Sequence, residues 1–355
     1  MQLMHILKIQ DQNYKNTIKN IHTLTMADIK PQSAPQLQPR SIGDLIKGNL
    51  FMLIATIFFG VNIPVVKILI PEWMSSVDVT IFRLGGGCIL MWIASMFMKN
   101  DRIQRDDYLR IFLGGAVGLF LFMYLFNLSL RYANPIDVSI IMTFPPIFVI
   151  LIGIIFQHKR TSWLEILGIV VGFVGAFLVI VTQHAGEKGS DNILGECLAL
   201  ASTLCYAFYL VILEKPMQRY RPVSMLRWVF LMSCLPMLFL LPSLPKAEIF
   251  HTVEWQPWAC IAFILICPTF LAYFLINPAE KLIGSELVSI YQYFLPVVAM
   301  IASVIMGVAH IRFIQIVAMI VIIIGMLITT KAKRLQRLHA SAVDTAQKDT
   351  TVSKK

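Results

Sequence analysis

Apolar and polar positions alternate along this chain in long blocks rather than residue by residue. Ten apolar blocks can be counted, running from Leu50 to Ile70, Val77 to Met98, Ile111 to Leu130, Val138 to Phe156, Leu164 to Val181, Leu194 to Leu213, Met225 to Leu244, Trp258 to Ile276, Leu287 to Val308 and Phe313 to Thr330. Each has close to the ~20 residues that cross a hydrocarbon core of ~30 Å at ~1.5 Å per helical residue. Runs such as IVAMIVIIIGMLI lack the period-2 alternation of a membrane β-barrel strand. The pattern therefore predicts an all-α integral membrane protein of ten transmembrane helices.

A second regularity overlies the first. Val138, Ser139, Ile140, Phe144, Pro146, Ile155, Ile166 and Gly175 recur 150 positions later, without a gap, as Val288, Ser289, Ile290, Phe294, Pro296, Ile305, Ile316 and Gly325. The chain then divides into two halves of five spans each, residues 47–182 and 193–331, joined by a polar linker over 183–192. An odd number of spans sends the second half into the membrane from the opposite face. The expectation is two inverted five-helix repeats with a substrate site near the midplane between them, which points to a transporter working by alternating access.

Composition agrees with a bilayer: 57% of residues are hydrophobic, 14% are charged and the mean hydropathy is +0.73. With the N-terminus in the cytoplasm, 23 basic residues fall on cytoplasmic segments and 4 on the other side. Both termini are thus predicted to be cytoplasmic and the protein multi-pass in the cell inner membrane. The net charge of +10 is an orientation signal and an attraction to anionic lipid. Nucleic acid is not an expected partner, since basic and aromatic residues are not interleaved on a soluble face. Residues 1–46, with the segment PQSAPQLQPR, read as a disordered cytoplasmic tail, and 332–355 as a cytoplasmic tail that is polar and loose from Ala340; Met26 is an alternative start. The six cysteines form no CxxC pair and are expected as free thiols, with no metal site or cofactor.

Particular residues then carry a family likeness. The first span holds FFGVNIPVVK (Phe58 to Lys67), the second opens with Phe82-Arg83, the third ends in SLRYANP (Ser129 to Pro135), and the fourth and ninth share their proline pattern. In that order the chain resembles the drug/metabolite transporter superfamily, specifically its ten-span EamA-type branch of exporters and permeases. The resemblance implies a carrier of small metabolites and favours export. Where members often show a Gly-Glu pair after the fourth and ninth spans, this chain has Gln157-His158-Lys159 and Val308-Ala309-His310, so no role of that glutamate carries over.

Candidate substrate contacts are the uncharged polar residues within spans: Asn62, Tyr124, Asn127, Thr143, Tyr206, Tyr209, Thr269, Tyr273, Tyr291 and Gln292. Tyr209 matches Asn62 across the repeat and is expected on the opposite wall. Each of these alone is more often a helix-to-helix hydrogen bond than a substrate contact. Pro64 interrupts the first span beside Asn62, and Pro146 and Pro296 are matched hinges. Lys67 reads either as a snorkelling cation or as a charge at the outer mouth of the path. Arg83 is expected to pair with Asp137, with Arg227 as its mirror in the seventh span. Carboxylates and histidines fall only at span ends, which favours facilitated diffusion or exchange over a proton relay. No span offers a nucleophile with a partner base or a metal cluster, so an enzyme is not expected. The aromatic cavity suits amino acids or similar amphipathic metabolites and also drug-like compounds, as in a multidrug efflux carrier. A nucleotide-sugar carrier needs several cavity cations, and a membrane scaffold or sensor needs a soluble domain. Whether the protein works as a monomer or a homodimer is open.

Overall fold

The structure is a computed structural model that describes residues 42–70, 72–157, 162–182, 190–246, 248–283, 291, 294–328 and 331–332. The compact unit is Gly43–Lys355. Among the described residues every regular element is helical. Seven stretches are long and apolar enough to cross a membrane: Gly43–Leu69, Ser76–Met96, Arg105–Tyr132, Pro135–Gly153, Ile193–Met217, Pro222–Pro242 and Gln256–Ile276. Trp163–Gly175, Phe294–Ile305 and Phe313–Ile328 are shorter apolar helices. In order, these fall on the ten apolar blocks of the sequence, and the protein is an all-α, multi-pass membrane protein.

The first span is one unbroken helix, α1 (Ile42–Leu69), which carries Pro64 inside it. α2 (Ser76–Met96) starts at a capping box in which Ser75 and Asp78 satisfy each other's backbone N–H groups. The third span is composite. α3 (Arg105–Leu113) passes through a π-helical segment, Gly114–Leu119, into α4 (Phe120–Tyr132). The fourth is broken into α5 (Pro135–Ile141) and α6 (Pro145–Gln157). There the sequence reading of a hinge within a continuous helix needs correction. Proline disfavours helical geometry in the residue before it and lacks a donor, so the chain closes with tight turns at Thr143 and Phe144 and restarts at Pro145, leaving Pro146 in a first turn. Pro296 lies within the helix Phe294–Ile305.

The fifth span is α7 (Trp163–Thr182) and the sixth α8 (Ser190–Arg219). α9 (Pro222–Met237) runs into a 3₁₀ stretch, Leu238–Lys246. The eighth span repeats the device of the third: α10 (Gln256–Ile264), a π-helical segment Leu265–Leu271, then α11 (Ala272–Ile283). The two π segments begin 151 positions apart, close to the spacing of the sequence repeat. α12 (Phe294–Ile305) and α13 (Phe313–Ile328) follow.

Helix packing repeats as well. A Cβ on Gly175 of α7 would lie 2.5 Å from Ile322 and 3.2 Å from the Ala318 carbonyl of α13. A Cβ on Gly325 of α13 would lie 2.6 Å from the Gly172 nitrogen and 2.8 Å from the Gly168 carbonyl of α7. Equivalent glycines thus let equivalent helices approach backbone to backbone.

Gly325→Ala should cost about 1–3 kcal/mol by forcing the α7 and α13 backbones apart. Gly85→Ala should be neutral or better, because its Cβ would meet only the Met237 methyl at 3.7 Å and alanine is the stronger helix former. Thermal unfolding of both variants in detergent checks this; equal melting points would contradict the close-packing account.

Candidate functional site

A cavity of about 120 Å³ lies within the bundle and is lined by residues of both halves. From α1 come Met52, Ala55, Thr56, Phe59, Asn62 and Ile63, a three-to-four-residue spacing that puts them on one helical face across the middle of the span. From α4 come Phe122, Met123 and Phe126. Met142 and Pro145 reach the cavity from either side of the break in the fourth span. The second half supplies Tyr206 from α8, Tyr273 and Ile276 from α11, Tyr291, and Leu295 from α12. Arg83 of α2 adds one cation. Phe59 and Tyr273 meet edge to face at 6.3 Å, and Phe122 lies 4.8 Å from Tyr206 by ring centroids, so the walls are interlocked aromatic rings.

Of the residues singled out from sequence, Asn62, Arg83, Tyr206, Tyr273 and Tyr291 line this cavity. Tyr209 lies behind its wall, stacked on Tyr206 at 5.7 Å and packed against Gly118. The match to Asn62 across the repeat therefore does not bring both to the cavity. Tyr124 stacks parallel on Phe120. Asn127 donates to the Thr80 hydroxyl at 2.9 Å, joining α4 to α2, and Thr143 donates to the Ile140 carbonyl. Thr269 donates to the Ile264 carbonyl and accepts from Arg83 Nε at 3.3 Å. Gln292 lies outside the described residues. Phe59, Phe122 and Phe126 were not singled out, because apolar periodicity marks a cavity wall and a packed core identically; Thr56, also missed, is a polar residue whose hydroxyl donates to the Met52 carbonyl at 2.8 Å.

Both charged candidates on the first two spans require correction. Lys67 neither snorkels nor faces the cavity: its ammonium donates to the Leu130 carbonyl at 2.6 Å and the Ala133 carbonyl at 3.1 Å. It caps the C-terminal end of α4, where carbonyls left without helical partners concentrate negative potential. Arg83 does not take Asp137, which accepts from Gln315 at 2.9 Å. Arg83 is instead 4% exposed, with its guanidinium 5.9 Å over the Phe126 ring and its Nη1 without a partner. Its supposed mirror differs too, since Arg227 lies 5.2 Å over Trp92 and 5.9 Å over Trp228.

The carboxylates at span ends are also more deeply placed than their positions suggest. Asp137 is 1% exposed and Glu196 is fully buried, with both Glu196 oxygens unpartnered. Position along a helix does not equal contact with water, so the argument from span ends against ion coupling fails for these two.

Away from the cavity, the segment between α2 and α3 is tied to that between α8 and α9. Asp107 accepts from Arg219 Nη1 and from the Tyr220 hydroxyl, each at 2.7 Å, and Arg219 also donates to Gln104 at 2.8 Å. The Tyr220 contact first and Asp107 second hold the Arg219 guanidinium above its ordinary range.

An apolar helical bundle with an aromatic cavity between its halves is the architecture of a membrane transporter. The EamA-like transporter family profile matches residues 46–181 and again 193–331, and the chain belongs to that family. The uncharacterized transporter YyaM of Bacillus subtilis is 24% identical, covering 82% of this chain and 96% of its own length. An uncharacterized transporter of Archaeoglobus fulgidus is 22% identical over 73% and 89% of the two chains. A solved crystal structure with 16% identity superposes with a TM-score of 0.56 over 80% of this chain and 96% of that one, a likeness of fold.

Replacing Lys67 by Met should cost about 1–2 kcal/mol by removing the cap on α4, with little change in apparent substrate affinity. Melting temperature and KM measured on one preparation separate this from a substrate contact, for which KM would rise while stability held.

Proposed function

We propose that this transporter carries small amphipathic metabolites, amino acids or similar compounds, outward across the inner membrane. It would do so by alternating access between two inverted five-helix repeats, 47–182 and 193–331, with both termini cytoplasmic. The observation that carries this reading is the aromatic cavity lined by both halves at the middle of α1. A site between repeats can face each side in turn when the halves rock. The matched α7–α13 glycine contact and the paired π segments support two copies of one device. The break in the fourth span before Pro145 and Pro146 supplies a pivot at which rocking need break no helical hydrogen bond. The outward direction rests on the family likeness.

The lining also weighs among cargoes. Arg83 is the one cation among the described lining residues, whereas a sugar nucleotide's diphosphate calls for several. Rings with few polar groups favour a compact amphipathic solute.

Counterflow of radiolabelled pooled amino acids in proteoliposomes tests the reading. Asn62→Ala combined with Tyr206→Ala should lower uptake roughly tenfold, the equivalent of about 1.4 kcal/mol, while Tyr124→Ala leaves it nearly unchanged. Uptake indifferent to the double change would place the path elsewhere.

A further inference from the structure

Arg83 is the least satisfied charge on the cavity wall. Its Nε is held by Thr269, whose own hydroxyl hydrogen is given to the Ile264 carbonyl five residues back, a reach that belongs to the π segment. That anchor and the Phe126 ring fix the guanidinium and leave Nη1 buried with no acceptor. Among the described residues no carboxylate pairs with it. A buried cation without a counter-charge is strongly unfavourable, and a ligand that brings one relieves the cost. The same cavity holds a second orphan: Asn62, 3% exposed, has an unpartnered Oδ1, an acceptor lacking a donor.

We propose that Arg83 is the anion-binding residue of the cavity, and that the transported compound carries one carboxylate, seated on Nη1, attached to an apolar or aromatic body. Asn62 Oδ1 takes a single hydrogen-bond donor from the same compound. The carboxylate is required because it supplies the single negative charge that neutralises the guanidinium while leaving the rest of the compound apolar. An amino group is optional, because the lining offers it neutral oxygens and no described counter-charge. The inference rests on the reading of this cavity as the transport path and narrows its cargo to carboxylates.

Four probes separate the contributions in competition for binding to the purified, detergent-solubilised full chain. These are 3-phenylpropanoate (carboxylate only), phenylalanine (carboxylate and amine), phenethylamine (amine only) and inorganic phosphate (charge without an apolar body). The first two should bind at least about tenfold more tightly than the last two. Arg83→Gln should abolish that preference, and Arg83→Lys, which keeps the charge but loses the forked geometry, should retain it at reduced affinity. Phenethylamine or phosphate binding as well as 3-phenylpropanoate, absence of binding by all four, or an unchanged preference in a monodisperse Arg83→Gln protein would overturn the assignment. Ala55→Trp, which fills the cavity from α1, distinguishes the two levels. Transport that survives it defeats the path itself, whereas transport lost in Ala55→Trp together with an unchanged carboxylate preference in Arg83→Gln defeats the Arg83 assignment alone.

Discussion

Within a bilayer no water completes a peptide group's hydrogen bonds, so the backbone must satisfy itself, and the α-helix is the open-ended way to do so. That constraint makes each departure from α-helix informative, because the protein must cover or use what the departure exposes. Three departures border the machinery described here. The π segment Leu265–Leu271 carries Thr269, which holds Arg83. The π segment Gly114–Leu119 contains Gly115 and Gly118, whose missing side chains let α9 and α8 approach within contact of the backbone. The break between α5 and α6 delivers Met142 and Pro145 to the cavity. Irregular backbone here coincides with cavity walls and close crossings.

The number, order and type of spans were legible because a helix that meets lipid must be apolar over its whole crossing, a constraint visible in one dimension. The repeat was legible for a related reason, since two copies of one packing device need the same small residues at the same places, as Gly175 and Gly325 show. The cavity wall was legible only in part. Asn62, Tyr206 and Tyr273 stood out by polarity, whereas Phe59 and Phe126 look like any core residue until the space beside them is known. Tyr209 shows the converse: a polar aromatic near the site whose ring is spent on stacking. The π segments left no sequence signal beyond a glycine-rich run and Pro268.

Charges were the least legible, because their partners are chosen in three dimensions. Lys67 lies where the outer boundary was expected, yet its ammonium is held by the carbonyls at a neighbouring helix end. Asp137 and Arg83 appeared complementary in sequence, but the partners they take lie elsewhere, Gln315 among those of Asp137 and Thr269 for Arg83. A neutral partner such as Thr269 orients the Arg83 charge without cancelling it. A salt bridge would have locked Arg83 and removed it from chemistry.

Among the described residues, three charged side chains are consequently left with unpartnered buried atoms at separate places: the Arg83 guanidinium on the cavity, the Arg227 guanidinium over Trp92 and Trp228, and the Glu196 carboxylate on α8. Of these three, Arg83 is the one that lines the cavity. Glu196 is fully buried and is not among the residues that line the cavity. The difference decides which group reads a cargo. A charge facing packed side chains can answer only to its protein neighbours, whereas a charge facing a cavity answers to whatever fills it. Anchored by Thr269 and backed by Phe126, Arg83 offers a fixed donor whose orientation is settled before any ligand arrives, and preorganisation of that kind turns a costly buried charge into selectivity.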